Sequence, residues 1–272
     1  MSKDHIIVIR SYKPSDNLEC REIAKESVMS SINTAFVGNL VKEVTFELMI
    51  LFAALLFIFC GIHFTICLLV VPVVVILTYI STYVSLTARS MEVAQEISNI
   101  PKFYLSNPFS GFWVAEAFEP NIMTSQPKDC YYSIMSENQL QESNIDVSLQ
   151  SKRIIGTIGL TKSYRVGKSA WIKRLAVKHS YRRKGIGSCL LDTAVQFAIN
   201  QGYGSVETIA SEYTEGGREI CLKKGFELKQ MYHRHLIGSL ITILMYELTY
   251  QIELPDTTTP PQISYIRSFK QR

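Results

Sequence analysis

The chain has 272 residues, of which 47% are hydrophobic and 19% are charged, and its formal net charge is +4. A chain of this length forms one large domain or two small ones, and this one is more apolar than an ordinary soluble enzyme. Acidic and basic residues are interspersed, which argues against nucleic acid as a partner. The six cysteines show no C-x-x-C spacing, so we expect neither a metal site nor a disulfide framework.

The first 46 residues predict the beginning of a domain that contains both strands and helices. Residues 5–10 are rich in β-branched side chains and predict a strand. Pro14, Ser15 and Asp16 then supply a turn and the start of a helix over residues 17–31. We expect later segments to complete this domain.

The next feature is an apolar run, residues 48–88, in which 41 consecutive residues include no Asp, Glu, Lys or Arg. A helix that crosses the hydrocarbon core needs about 20 apolar residues. The run therefore allows two short spans with a tight turn, or one span with an interfacial segment. Gly61 and Pro72 are the expected break points. We predict that residues 47–89 form an inserted transmembrane or re-entrant helical hairpin.

The remainder of the domain is expected to occupy residues 90–252. Residues 119–152 are polar, contain Pro120 and Pro127, and predict a long loop. The tail from residue 253 to residue 272 is rich in proline and threonine and is expected to be disordered. Periodicity and turn residues elsewhere predict helices at 91–105, 187–201 and 215–224, and strands at 112–118, 154–160, 169–177, 205–210, 226–231 and 239–248.

One segment has the pattern of a phosphate-binding loop. The predicted strand that ends at Val177 is followed by basic and glycine residues and then by a helix. Glycine lets the backbone approach an anion, and the free N–H groups of a helix start point toward it. A solvated basic run is the alternative interpretation. The loop residues are Arg182, Arg183, Lys184, Gly185, Ile186 and Gly187.

These residues resemble the R-x-x-G-x-G pyrophosphate loop of the GNAT acetyltransferases, and Gly225-Phe226 matches a later motif of that family. Residues 9–16, the apolar insert and residues 97–105 leading to 112–116 resemble the camello-type family more closely. That family includes cysteine-S-conjugate and aspartate N-acetyltransferases of the endoplasmic reticulum. The resemblance covers roughly residues 5–250 except the loop at 119–152, which is longer than the family usually has.

The resemblance implies an α+β fold with a central mixed, mostly antiparallel sheet flanked by helices. It implies acetyl-CoA as co-substrate, with its pantetheine arm on Leu175, Ala176 and Val177 and its pyrophosphate on the loop. The acceptor amine would attack the thioester directly, and the departing thiolate would take a proton.

The acid that protonates the thiolate is less clearly specified by the sequence. The family often has a tyrosine four residues before the Gly-Phe motif, where this chain has Cys221. Cys221 is therefore either a proton donor or a buried apolar residue, and Tyr213 is a possible substitute. Arg174 is either a partner for a substrate carboxylate or a surface arginine.

The fold also constrains the membrane topology. The first strand precedes the apolar run and must join strands that follow it, so both ends of the run lie on one membrane face. By analogy with the family, we expect an endoplasmic reticulum protein with its catalytic domain in the cytosol. Three activities stay open: acetylation of a small amino-acid-like amine, acetylation of protein lysines or N-termini, and acyl-CoA binding without turnover.

Overall fold

The computed structural model describes residues 5–61, 63–120, 131–143, 145, 147, 150–164, 167–214, 216–237, 241–252 and 267–270. Within these residues, nine strands form one sheet in the order β7-β8-β6-β5-β4-β2-β1-β3-β9. The β1–β3 and β5–β6 pairs are parallel and the others antiparallel, which confirms the predicted mixed sheet. The strands are β1 His5–Ser11, β2 Gly111–Pro120, β3 Tyr131–Ser136, β4 Gln150–Lys162, β5 Ser169–Val177, β6 Ser205–Ser211, β7 Glu227–Ile237, β8 Ile241–Gln251 and β9 Arg267–Lys270.

Helices cover both faces of the sheet, which confirms the predicted α+β class. The helices are α1 Asn17–Met29, α2 Ile32–Leu40, α3 Glu43–Cys60, α4 Phe64–Cys67, α5 Val70–Ser98, α6 Glu137–Glu142, α7 Ile186–Asn200 and α8 Gly217–Lys223. On one face, Leu190 and Leu191 of α7 pack with the buried residues of the central strands. On the other face, α1 and α5 meet the sheet through residues such as Ile23 and Ile97. Burial of each such side chain contributes about 1.5–3 kcal/mol.

The apolar run forms two long helices, α3 and α5, with the short α4 between them. The 18 residues of α3 extend about 27 Å at 1.5 Å per residue. Gly61 ends α3 in the left-handed conformation with φ 61°, as its predicted role as a break point requires. Pro72 lies instead in the first turn of α5, where its missing N–H has no intrahelical partner to lose.

The helix α5 changes character along its length. Its first part exposes large apolar side chains such as Ile76, Leu77 and Ile80, whereas Val93 and Ile97 are buried against the sheet. The predicted boundary at residue 89 therefore lies inside one continuous helix. The helix predicted within 91–105 was expected to end near Pro101, and α5 ends three residues earlier, at Ser98. A separate π-helical turn follows at Pro101–Leu105.

Two segments expected to lack regular structure contain it. Within the predicted loop at 119–152, β3 and α6 form and β4 begins at Gln150, so the loop assignment is wrong there. Ser136 caps α6 by accepting from the Gln139 backbone N–H, a local signal. Within the predicted disordered tail, Arg267–Lys270 pairs with β3. Residues 121–130 and 253–266 lie outside the described part of the chain.

A buried group of three charges joins the start of α1 to the sheet. The Arg10 guanidinium donates to Asp16 at 2.7 and 3.0 Å and to Glu116 through two 3.0 Å bonds. All three side chains are about one-tenth exposed or less. Burial opposes ionisation of Asp16, but the hydrogen bonds from Arg10 and from the Lys13 backbone N–H, together with the charge of Arg10, outweigh it and lower the pKa of that carboxyl.

Candidate active site

The central feature of the site is the opening between β5 and β6. These parallel strands pair from Ser169 with Ser205 to Ile172 with Thr208, yet β5 continues to Val177 and β6 to Ser211. A bulge in β5 marks the divergence, because the β4–β5 register shifts there. The part of β5 beyond the paired region therefore presents backbone groups that β6 does not pair, in the segment where the pantetheine-binding residues Leu175, Ala176 and Val177 were predicted.

Arg174 lies in this bulge with φ 57°, a left-handed conformation that costs a non-glycine residue about 1–2 kcal/mol. The hydroxyl of Thr157 donates to the Arg174 carbonyl oxygen at 3.0 Å and holds it in place. The guanidinium forms an ion pair with Glu96 of α5. Tyr104 also donates to Glu96, at 2.5 Å. Arg174 is therefore tied to α5 by an internal carboxylate and is not free to act alone on a substrate carboxylate.

The predicted phosphate loop leads directly from β5 into α7. Arg183 has φ 64° and Gly185 has φ 81°, so two of three consecutive residues adopt the left-handed backbone conformation. Gly185 is the N-cap of α7 and no side chain caps this helix. The first N–H groups of α7 are therefore available to an anion, and the helix dipole favours negative charge there.

Two of the loop's basic side chains are fixed by neighbouring groups. Arg182 donates to the Val177 carbonyl oxygen at 3.1 Å and to the Ser30 hydroxyl at 2.8 Å. Lys184 donates to the Tyr132 hydroxyl at 2.6 Å, and its ammonium lies 4.1 Å from the centre of that ring. Arg183 is exposed. The loop thus concentrates positive charge beside uncapped helix amides, which fits a pyrophosphate.

Gly187 joins this loop to the rest of the site through close packing. A Cβ at this position would lie 3.1 Å from Ile220 Cδ1 and 3.7 Å from Val177 Cγ2. The start of α7 therefore lies directly between α8 and the end of β5. Ile186, the loop residue between the two glycines, is buried in the core.

The two proposed proton donors lie in different surroundings. Cys221 of α8 is buried in the core on the α7 face, and burial together with the charge of Glu219 raises the pKa of its thiol to about 12. Tyr213 follows β6 and packs against Ala35 of α2 and Leu86 of α5. Burial and the nearby Glu212 carboxylate raise the pKa of the Tyr213 hydroxyl. Both groups are therefore protonated at neutral pH.

Several residues of this region were missed by sequence reasoning. The Tyr213 hydroxyl donates to Asn39 Oδ1 at 3.4 Å, and Asn39 Nδ2 donates to Thr82 Oγ1 at 3.3 Å. Asn39 and Thr82 are both buried. Glu96, the partner of Arg174, was also missed. Thr82 could have been noticed in the sequence, because a polar residue inside an apolar helix needs a hydrogen-bond partner when it is buried.

Comparison with known proteins finds similarity to acetyltransferases over part of the chain. The model described as Acetyltransferase (GNAT) family matches residues 98–218. Rat N-acetyltransferase 8B is 28% identical over 158 residues, which are 57% of this chain and 56% of that protein. Rat N-acetyltransferase family 8 member 3 is 23% identical over 219 residues, 80% of this chain and 83% of that protein.

The chain thus matches little more than half the length of the first of these relatives. A crystal structure of a GNAT-family acetyltransferase from Staphylococcus aureus Mu50 covers 89% of this chain and 97% of its own, with 15% identity and a TM-score of 0.43. The chain contains a GNAT acetyltransferase domain, a domain type that uses acetyl-CoA, and its named relatives are members of the N-acetyltransferase 8 family.

Proposed function

We propose that this protein is a membrane-anchored N-acetyltransferase that transfers the acetyl group of acetyl-CoA to a small amino-acid-like amine, of the cysteine S-conjugate or aspartate type. The observation that carries the proposal is the divergence of β5 from β6 immediately before the uncapped start of α7. Strand edge, loop and helix start together offer hydrogen-bonding groups for an extended chain that ends in a pyrophosphate.

The residues of the site fit such a cofactor. The pyrophosphate would be held by the helix amides after Gly185, with Arg182, Arg183 and Lys184 supplying positive charge. The pantetheine arm would be held by backbone groups of Leu175, Ala176 and Val177. When bound, acetyl-CoA supplies the activated acetyl thioester. The protein orients that group at the opening and supplies a proton donor.

We assign the proton donor to Tyr213 rather than to Cys221. Tyr213 lies just beyond the end of β6, where β5 and β6 no longer pair, and packs against α2 and α5. Asn39 accepts from its hydroxyl and fixes the ring. Cys221 lies among the apolar side chains of the core, which supports a packing role.

Membrane anchoring is supported by the surface of α3 and α5. Among the described residues, Thr65–Ser98 is a helical segment long and apolar enough to cross a membrane, and 17% of its most apolar window is buried within the protein. In α3, side chains such as Phe52, Phe57 and Ile58 are exposed. Exposed apolar surface of this extent marks an interaction with lipid or another apolar partner. We propose the endoplasmic reticulum membrane, with the catalytic domain in the cytosol.

The test is coenzyme A release by the full chain in detergent, with S-benzylcysteine, aspartate and a lysine peptide as acceptors. We expect turnover on at least one of the two amino acids and little on the peptide. Turnover on the peptide alone would assign the protein to lysine acetylation. Acetyl-CoA binding without release on any acceptor would favour a non-catalytic acyl-CoA-binding protein.

The anchoring is tested separately by protease protection of a tag at each end of the chain in sealed microsomes. Both tags should be digested, because β1 and β2 belong to one sheet although the helices α3 and α5 lie between them. Opposite fates of the two tags would contradict a hairpin.

A further inference from the structure

A second group of basic side chains lies on the face of the sheet that α5 covers. Arg89 follows directly after the apolar run and shares one side of α5 with Glu92 and Glu96, at spacings of three and seven residues. Its Nη1 lies 3.8 Å from Glu92 Oε2, but the Glu92 side chain is 71% exposed. An ion pair this long and this exposed contributes little, so Arg89 keeps most of its capacity to bind another anion.

The hairpin of β7 and β8 brings a second arginine to the same place. Arg234 of β7 pairs with Ile243 of β8. Ile243 in turn packs against the cluster that contains Leu86 and Tyr213. Leu86 precedes Arg89 by one helical turn. The hairpin therefore brings Arg234 near enough to α5 for its charge to act on Arg89, and Arg234 is exposed.

The charges of this group do not balance. The positive charges of Arg234 and Arg174 both act on Arg89, as do the negative charges of Glu92 and Glu96. Lys173 adds a further positive charge near Glu96. Arg174 uses Glu96, whereas Arg234 forms no ion pair with any residue in the described part of the chain. The group therefore carries excess positive charge around an approachable guanidinium.

We propose that Arg89 and Arg234 form the binding site for an anionic group of the acceptor, a carboxylate a few bonds from the amine that is acetylated. This inference rests on the proposed function and specifies the acceptor. Two guanidinium groups from different elements offer paired donors that match a carboxylate. Arg174 connects this pair to the proposed acetyl-CoA site, because it belongs to the bulge at which β5 leaves β6 and its charge acts on Arg89.

Arg174, the residue that the sequence suggested as a partner for a substrate carboxylate, does not fill this role alone. Its guanidinium is neutralised by Glu96, and its Nε is buried without a hydrogen-bond partner among the described atoms. Arg174 acts as a positioning residue that connects the bulge to α5. The proposed anion site is formed instead by Arg89 of α5 and Arg234 of β7.

The experiment compares S-benzylcysteine with its carboxamide as acceptors, using the full chain in detergent and saturating acetyl-CoA. The wild type should favour the acid by at least tenfold in kcat/KM. Arg89→Gln and Arg234→Gln should each reduce that preference to threefold or less, mainly through KM for the acid. Arg234→Lys should retain part of it, because one positive charge remains. Arg153→Gln removes an exposed arginine of β4 and should leave the preference unchanged.

Calorimetric binding of the acid and the amide separates this inference from the proposed function. No turnover with either compound would contradict the proposed function, whereas preferential binding of the acid that both glutamine variants lose would still support the anion site. Equal binding and equal turnover of acid and amide by the wild type would overturn the inference. Acetyl-CoA affinity identifies variants that fail to fold, and Arg234, on an exposed strand position, is the variant that folding should tolerate best.

Discussion

The proposed phosphate loop and the proposed anion site at Arg89 and Arg234 are built differently. The loop is one contiguous stretch, in which Gly185 and the start of α7 supply backbone donors. The arginine group draws Arg89 from α5, Arg174 from β5 and Arg234 from β7. Backbone donors depend on local conformation, whereas side chains from separate elements depend on the whole fold. Anion binding at the loop should therefore be weakened by a substitution that disfavours its backbone conformation. Binding at the arginine group should be weakened by loss of an arginine charge or by destabilisation of the elements that carry these side chains.

The same difference decides what the sequence alone could predict. The strand–loop–helix conformation of the candidate phosphate loop could be predicted because glycine spacing, basic residues and the change from strand to helix are all local. The juxtaposition of Arg89 and Arg234 could not be predicted, because the two residues are 145 positions apart along the chain (234 − 89). They are related through the fold, in which Ile243 of β8 packs against the cluster that contains Leu86 of α5. The strand β3 was missed for a related reason, since its parallel pairing with β1 is not encoded by a local turn.

Loss of the buried charge group at Arg10 should give the largest effect. Arg10→Met removes the partner of two buried carboxylates, Asp16 and Glu116, and should lower the free energy of unfolding by about 3–5 kcal/mol. Chemical denaturation of the full chain in detergent measures it. Arg153→Met, at an exposed position, should change stability by less than about 0.5 kcal/mol. A similar small loss in both variants would mean that the buried charges do not hold α1 in place.

The pH dependence of stability sharpens this result. The pKa of Asp16 is held below its ordinary value of 3.8, so the folded state binds this proton less readily than the unfolded chain. Its contribution is complete above about pH 4 to 5 and is lost as the pH falls through the lowered pKa. Arg10→Met should weaken this loss at acidic pH. If Arg10→Met loses as much stability at acidic pH as the wild type does, that loss comes from other carboxylates.

The backbone character of the phosphate loop predicts the next effect. Gly185→Val forces a branched side chain into φ 81° and should weaken acetyl-CoA binding by about 100-fold, or about 2.7 kcal/mol. Gly202→Val places the same residue at φ 73° just beyond the other end of α7, where a Cβ meets nothing within 4 Å. Gly202→Val should lower the free energy of unfolding as much as Gly185→Val does, and it should keep acetyl-CoA affinity within threefold of the wild type. Equal loss of affinity in both would remove the loop from the site.

The two proton-donor candidates give a smaller effect on rate. Tyr213→Phe should lower kcat by about tenfold or more with little change in acetyl-CoA affinity, because the ring keeps its contacts with α2 and α5. Cys221→Ala should cost about 1–2 kcal/mol of stability through a small cavity and change kcat by less than threefold. The reverse pattern would transfer the acid role to Cys221.

The smallest effect is expected from a single side chain of the phosphate loop. Arg183→Gln removes an exposed charge and should weaken acetyl-CoA binding by about threefold to fivefold at low salt, because exposed charges contribute about 1 kcal/mol or less. The difference should shrink in 0.5 M salt. A loss as large as that of Gly185→Val would mean that side-chain charge, and not the backbone, dominates this site.

The bonds between Arg10 and Glu116 join residues 106 positions apart along the chain, and both long helices are synthesised between them. A ribosome must therefore release the whole of α3 and α5 before the first strand can find its neighbour β2. Early formation of the helical pair would bring the two strands near each other and shorten the effective loop that has to close. The order of assembly would then begin in the exposed apolar helices and end in the sheet.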